Sequence, residues 1–103
     1  MLFAVFFEDD NAHLHKRSEF MSDHLAFLER NGTTVRAAGP LKAAADGTPA
    51  GGLWLVEAKS AEDVRRLCED DPFWSMGLRK SVQIFEWTRV FAGGKRRSEG
   101  TGR

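Results

Sequence analysis

The chain has 103 residues, 42% of them hydrophobic and 29% charged, with 15 basic and 15 acidic residues and a formal net charge of zero. Such a length suits one domain with a modest core, and the balanced charge argues against a nucleic-acid partner. The single cysteine, Cys68, excludes an intramolecular disulfide and suits a reducing compartment.

Residues 2–7 (Leu-Phe-Ala-Val-Phe-Phe) predict a strand apolar on both faces, because alternate side chains point opposite ways. The run meets Glu8, Asp9 and Asp10 at once and has no basic flank. It is too short for a secretory h-region or a membrane span, so no membrane association and a cytoplasmic location are expected. Asp9, Asp10 and Asn11 are candidate N-caps for one long helix running to about Arg30, which Asn31-Gly32 ends. At about 100° per residue, one arc of that helix reads Leu25, Leu14, Met21, Leu28, Arg17, His24, Asn31, Phe20, Phe27. His24 falls near the middle, while its polar companions lie toward the helix ends, where water reaches them.

Residues 33–38 predict a second strand, broken by Gly39-Pro40, and Ala45-Asp46-Gly47-Thr48-Pro49 carries turn chemistry. Residues 52–58 predict a third strand, again apolar on both faces. Ser60 is a candidate N-cap with Asp63 three residues on, opening a helix over residues 61–69 that puts Ala61, Val64, Leu67 and Cys68 on one side. Asp71-Pro72 ends it, and Pro72-Phe73-Trp74 opens a short extra turn. Residues 81–87 predict the last strand. The domain is expected over residues 1–91, followed by a disordered basic tail with glycine and serine over residues 92–103.

The order strand, helix, strand, strand, helix, strand predicts an α+β fold: a ferredoxin-like βαββαβ sandwich with an antiparallel sheet and both helices on one face. The other face of that sheet would expose an apolar patch larger than soluble monomers tolerate. A homodimer joined through the sheet faces is therefore expected.

A titratable group aimed into apolar surroundings can be poised to move a proton near neutral pH, which makes His24 the leading chemical candidate. A core histidine with a satisfied partner would give the same pattern. Asp71 reads on its own as an N-cap followed by proline, and a carboxylate with two oxygens can also hold a histidine, fixing its tautomer and stabilising the imidazolium. His13 and His15 are two apart and share no helix face, so no metal site is expected. The glycines at 39, 51 and 52 suit turns and close backbone approach, since no helix opens directly after them to cradle a phosphate. Phe73 and the three tryptophans read as core residues, one or two of them able to line a pocket for an aromatic ligand.

Asp23-His24-Leu25-Ala26-Phe27-Leu28, then Gly39-Pro40-Leu41, Gly51-Gly52 before a strand, Asp71-Pro72-Phe73 and Gly77-Leu78 together resemble the YCII (YciI-like) family. The similarity runs over about residues 1–88. The resemblance implies a dimeric α+β barrel with a pocket between helices and sheet, and a His–Asp active site that falls on His24 and Asp71. It also implies small cofactor-independent reactions, as in a dehydrochlorinase of chlorinated aromatic breakdown. Where relatives often carry a hydroxyl residue in the glycine turn, Ala50-Gly51-Gly52 offers only backbone groups.

The resulting expectation is a small enzyme without metal or cofactor, acting on a cyclic or aromatic-derived metabolite by isomerisation or elimination. His24 would move the proton and Asp71 would orient it. Gly39, Pro40, Gly51, Gly52, Pro72 and Phe73 are the candidate substrate-binding positions, with backbone amides near Gly39 or Gly51-Gly52 facing an enolate-like oxygen. The alternative is a non-catalytic dimeric ligand-binding or accessory module whose His–Asp pair only maintains the pocket.

Overall fold

The computed structural model describes residues 1–97. Strand β1 (Leu2–Asp9) buries Phe3, Val5 and Phe7 and turns Ala4 and Phe6 to the opposite face, the period-two pattern of its sequence. It lies at the centre of a four-stranded antiparallel sheet of order β2-β3-β1-β4, with β2 (Val35–Lys42), β3 (Pro49–Glu57) and β4 (Arg79–Glu86). Two helices, α2 (Met21–Arg30) and α3 (Ala61–Asp70), send Phe27, Val64 and Cys68 into one core with Phe3, Val5, Phe7, Trp54 and Val56. Both helices thus cover the same face, and the architecture is the ferredoxin-like α+β sandwich that the element order predicts. Among the described residues, no helix is long and apolar enough to cross a membrane.

The expected single helix to Arg30 is instead three pieces: a 3-10 turn (Asn11–His13), α1 (His15–Glu19) and α2. The break is at Phe20, whose φ of −110° and ψ of 14° leave the helical region, although backbone hydrogen bonds from Phe20 to Lys16 and from His24 to Phe20 bridge it. The apolar arc of the continuous wheel nonetheless survives the break, with Leu14, Arg17, Phe20, Met21, Leu28 and Asn31 half-buried around it. Leu25, the end member of that arc, is 50% exposed, while His24 and Phe27 are buried.

Strand β2 continues through Gly39-Pro40 rather than stopping there. It is the edge strand, where a missing N–H costs no central ladder bond, and bulges flank Pro40 and Val35. The Ser60 cap is as read from sequence, its hydroxyl accepting from the Asp63 amide at 3.1 Å. The last strand starts two residues early and ends at Glu86.

Ala92 to Arg97 also depart from the expected disordered tail. A small hairpin pairs β5 (Phe91–Ala92) with β6 (Lys95–Arg96). Gly93 and Gly94, both at positive φ (61° and 77°), supply the turn conformation a two-residue hairpin needs. The remainder of that expected tail, residues 98–103, lies outside the described residues.

Candidate functional site

The site is built where α3 ends. Asp71 has extended backbone (φ −71°, ψ 134°) and caps the short helix α4 (Pro72–Ser75), with Pro72 in the first turn. Its Oδ1 accepts from the Phe73 amide at 3.2 Å and from His24 Nδ1 at 2.8 Å. One oxygen therefore serves both the cap and the histidine, rather than one each. An ionised carboxylate only accepts, which assigns the proton to Nδ1 and leaves Nε2 as the basic nitrogen of the neutral ring. The pair is buried, His24 at 6% exposure and Asp71 at 1%. The Phe73 ring stacks on the imidazole at 4.0 Å between centroids and 16° between planes.

Asp71 Oδ2 faces a third group. Arg79, at the start of β4, brings Nη2 to 3.8 Å from it, an ion pair without a hydrogen bond; Oδ2 and Arg79 Nε have no hydrogen-bond partner among the described residues. On its other side Arg79 donates through Nη1 to Asp9 Oδ1 at 3.0 Å, and Asp9 Oδ2 accepts from Arg17 Nη2 at 2.6 Å. The two guanidinium groups are held against aromatic faces: Arg79 over Phe7 at 4.1 Å and Phe73 at 5.2 Å, Arg17 over Phe73 at 5.3 Å. A chain of charge thus runs Arg17–Asp9–Arg79–Asp71–His24, sealed at the histidine end and partly exposed at Arg17.

With His24 neutral, two carboxylates and two guanidiniums cancel, so the chain can be buried as a neutral set. Burial pulls the Arg79 guanidinium below its ordinary range, and the charge and hydrogen bond of Asp9, then the charge of Asp71, oppose that pull. A guanidinium stays protonated regardless. Cys68, nearby in α3, is a buried thiol whose pKa desolvation pushes up to about 12, so it is inert as a nucleophile.

Among the described residues, two cavities open at the Asp9 end. One of about 320 Å³ is lined by Asp9, Leu14, Arg17, Pro40, Lys42 and Gly51, among others. One of about 510 Å³ shares Asp9, Leu14, Pro49 and Gly51 with it and adds Glu8, Asp10 and Lys80. Neither of these two is lined by His24 or Asp71.

The sequence-predicted positions sort accordingly. His24, Asp71 and Phe73 meet directly. Pro72 is a helix-start residue whose carbonyl accepts from Ser75 Oγ. Gly51 lines both cavities, and Pro40 lines the smaller one. Gly51 has φ +85° and lies so close to β1 that a Cβ would sit 1.8 Å from the Phe7 carbonyl oxygen, which only glycine avoids. Gly52 lies beside the network, where a Cβ would come 3.4 Å from Arg79 Nη1, the edge of ordinary contact. Gly39 lies elsewhere, in a groove of about 240 Å³ with Leu53 and Leu55 on the helix-free face.

Asp9, Arg17 and Arg79 escaped the sequence reading. Asp9 was a candidate cap, but Asp10 takes that role by accepting from the Ala12 amide at 2.9 Å. Arg17 carried a usable signal: it lies beside His24 on the apolar arc and does not reach water freely, its side chain being 21% exposed. Arg79 sits 70 residues from Asp9, and nothing local announces that pairing.

Comparison with known families matches residues 1–88 to the YCII-related domain. Among solved structures, a 5-chloro-2-hydroxyhydroquinone dehydrochlorinase (TftG) from Burkholderia phenoliruptrix AC1100, in complex with 2,5-dihydroxybenzoquinone, is similar at 31% sequence identity with a TM-score of 0.74. The likeness covers 84% of this chain and 93% of that one. Comparison with curated protein sequences finds no match.

Proposed function

The chain belongs to the YCII family, and on that premise we propose that it is a small cytoplasmic enzyme acting on a cyclic or aromatic-derived metabolite by proton transfer. The observation that carries this is the His24 Nδ1 to Asp71 Oδ1 contact of 2.8 Å, which orients the imidazole and leaves Nε2 free to accept a proton. In an elimination, Nε2 takes the proton from substrate while chloride leaves with its bonding pair; in an isomerisation, the same nitrogen returns the proton to another carbon. Asp71 stabilises the imidazolium formed in between. The similar dehydrochlorinase, bound to a hydroxylated quinone, supports this class of chemistry and this size of ligand. The side chains carry the reaction without metal or cofactor, and the Gly51 backbone at the cavity wall is the candidate for facing an enolate oxygen.

The working unit is a homodimer in this reading. The helix-free sheet face exposes Phe6 at 40% and Phe85 at 50%, with their rings in edge contact at 6.0 Å and Leu53 and Leu55 half-buried beside them. Covering that face with a second copy removes the apolar patch from water.

A second reading has its own observation. The pair is almost sealed, and neither cavity at Asp9 is lined by it, as suits a ligand-binding module with a structural His–Asp pair. Chloride release from 5-chloro-2-hydroxyhydroquinone separates the two. The catalytic reading expects turnover by the parent protein and its loss in a folded, dimeric His24→Ala variant. Equal turnover in both proteins would refute it.

A further inference from the structure

The smaller cavity carries an excess of positive charge, and we propose that it is an anion site for a single-ring ligand bearing a carboxylate or ionised hydroxyl, with Arg17 as the principal contact and Lys42 as the second. The inference goes beyond the proposed function: it concerns ligand binding at the Asp9 end, in a cavity that His24 does not line, and does not rest on the catalytic reading.

Asp9 lines this cavity but is already committed. Each of its oxygens accepts a guanidinium N–H, from Arg17 at 2.6 Å and Arg79 at 3.0 Å, and its side chain is 6% exposed. Arg17 differs. Only its Nη2 is bonded among the described residues, which leaves most of its five N–H donors for a ligand. Its guanidinium carbon lies over the Phe73 ring, 5.3 Å from the centroid. A guanidinium held in orientation and partly withdrawn from water suits a carboxylate or enolate better than a mobile surface cation does.

Lys42 adds a second positive charge at the cavity and makes no ion pair among the described residues. Two cations against the one carboxylate of Asp9 leave the lining net positive, with Arg79 adding another cation behind Asp9. Leu14, Pro40, Leu41 and Pro49 supply apolar walls. At about 320 Å³ the cavity lies at the small end of ligand pockets, roughly 300–1,000 Å³, and takes one ring.

The adjoining larger cavity would reject the same ligand. Glu8, Asp9 and Asp10 against Lys80 leave its lining with two net negative charges. The two cavities share a wall at Asp9, Leu14, Pro49 and Gly51 but differ in sign, so charge alone directs an anionic ring to the Arg17 side.

The test is a titration of the full chain near neutral pH with 4-hydroxybenzoate and with its uncharged analogue 4-hydroxybenzamide, followed by amide NMR shifts. The acid is expected to bind about tenfold tighter than the amide, with shifts at Leu14, Leu41 and Gly51, and to weaken as salt rises. Arg17→Gln should abolish that preference and Lys42→Gln should reduce it about twofold to threefold, as fits a more exposed cation. Equal binding of acid and amide, no binding of either, a preference that survives Arg17→Gln, or shifts gathered at Glu8, Asp10 and Lys80 would each overturn the site. Should Arg17→Gln fail to fold, Lys42→Gln and Arg17→Lys carry the test, and an unchanged preference in both overturns it. His24→Ala should keep the acid preference, so a failure of the catalytic reading leaves this binding result standing.

Discussion

Replacing Arg79 with methionine removes the cation between two buried carboxylates while keeping an apolar stem against Phe7 and Phe73. At an effective dielectric of about 20, the 3.0 Å contact to Asp9 and the 3.8 Å contact to Asp71 have Coulomb energies of roughly 5.5 and 4.4 kcal/mol before desolvation is subtracted. Burial of the guanidinium offsets most of that in the intact protein. Without Arg79, Asp9 keeps Arg17, but Asp71 keeps only neutral donors, the imidazole and the Phe73 amide. Stranding a buried charge this way costs about 3–5 kcal/mol, a large part of the stability of a small domain. Urea unfolding should therefore show a fall of that size for Arg79→Met. Asp71→Asn, which retains an oxygen for the cap and the histidine, should cost only about 1–2 kcal/mol by itself. Combined with Arg79→Met it should cost less than the sum of the two, by at least about 1 kcal/mol, because the stranded charge is then gone. A loss under 1 kcal/mol for Arg79→Met, or strict additivity of the pair, would refute the claim that these charges act as one set.

Gly51→Ala should destabilise the fold by at least about 3 kcal/mol in urea unfolding, from positive φ and the 1.8 Å approach to Phe7 together. Cys68 predicts an alkaline weakness. Its thiol stays protonated in the folded state until about pH 12 but ionises in the unfolded chain near its ordinary pKa of 9.0. Its contribution is thus full below pH 9 and is lost as pH rises toward 12, about 1.5 kcal/mol of it by pH 10, and Cys68→Ala should flatten that dependence. For the proposed homodimer, the parent protein should sediment at twice the protomer mass and Phe6→Glu with Phe85→Glu should halve that mass without unfolding the protomer, since both side chains lie on the helix-free face. Removing residues 92–103 should lower the melting temperature by less than about 2 °C, because Phe91, Lys95 and Arg96 of the terminal hairpin are exposed.

The sites also divide by the distance over which their partners must find one another. The Asp71 cap on Phe73 forms between residues two apart and can assemble with its helix turn. The His24–Asp71 bond spans 47 residues and needs α2 and the α3–α4 junction docked on the same face of the sheet. Because Asp71 Oδ1 serves both bonds, the helix start and the imidazole are positioned by one atom. Phe73, carried two residues beyond the cap, is thereby placed flat against the same ring.

What the sequence alone determined about this protein is what neighbours in the chain decide. The alternation of Phe3, Val5 and Phe7 against Ala4 and Phe6, the Ser60 and Asp71-Pro72 caps and the element order lead to the ferredoxin-like sandwich, because each depends on period, φ preference or a bond within three residues. His24 stood out for the same reason, as a polar group among apolar helical neighbours. Its partner came through the family resemblance. The tertiary structure alone decided the rest. Packing set how far the buried arc of α2 extends, taking in His24 and Phe27 and leaving Leu25 at its edge in water. Strand register brought Asp9, at the end of β1, beside Arg79, at the start of β4, and α1 brought Arg17 to the other oxygen of Asp9. Charges can be paired across the chain in many ways, since Coulomb attraction carries no sequence period. Only the packing of sheet and helices selects one pairing, and that selection joined His24 to a chain of paired charges and put the Arg17 cation in the wall of the smaller cavity.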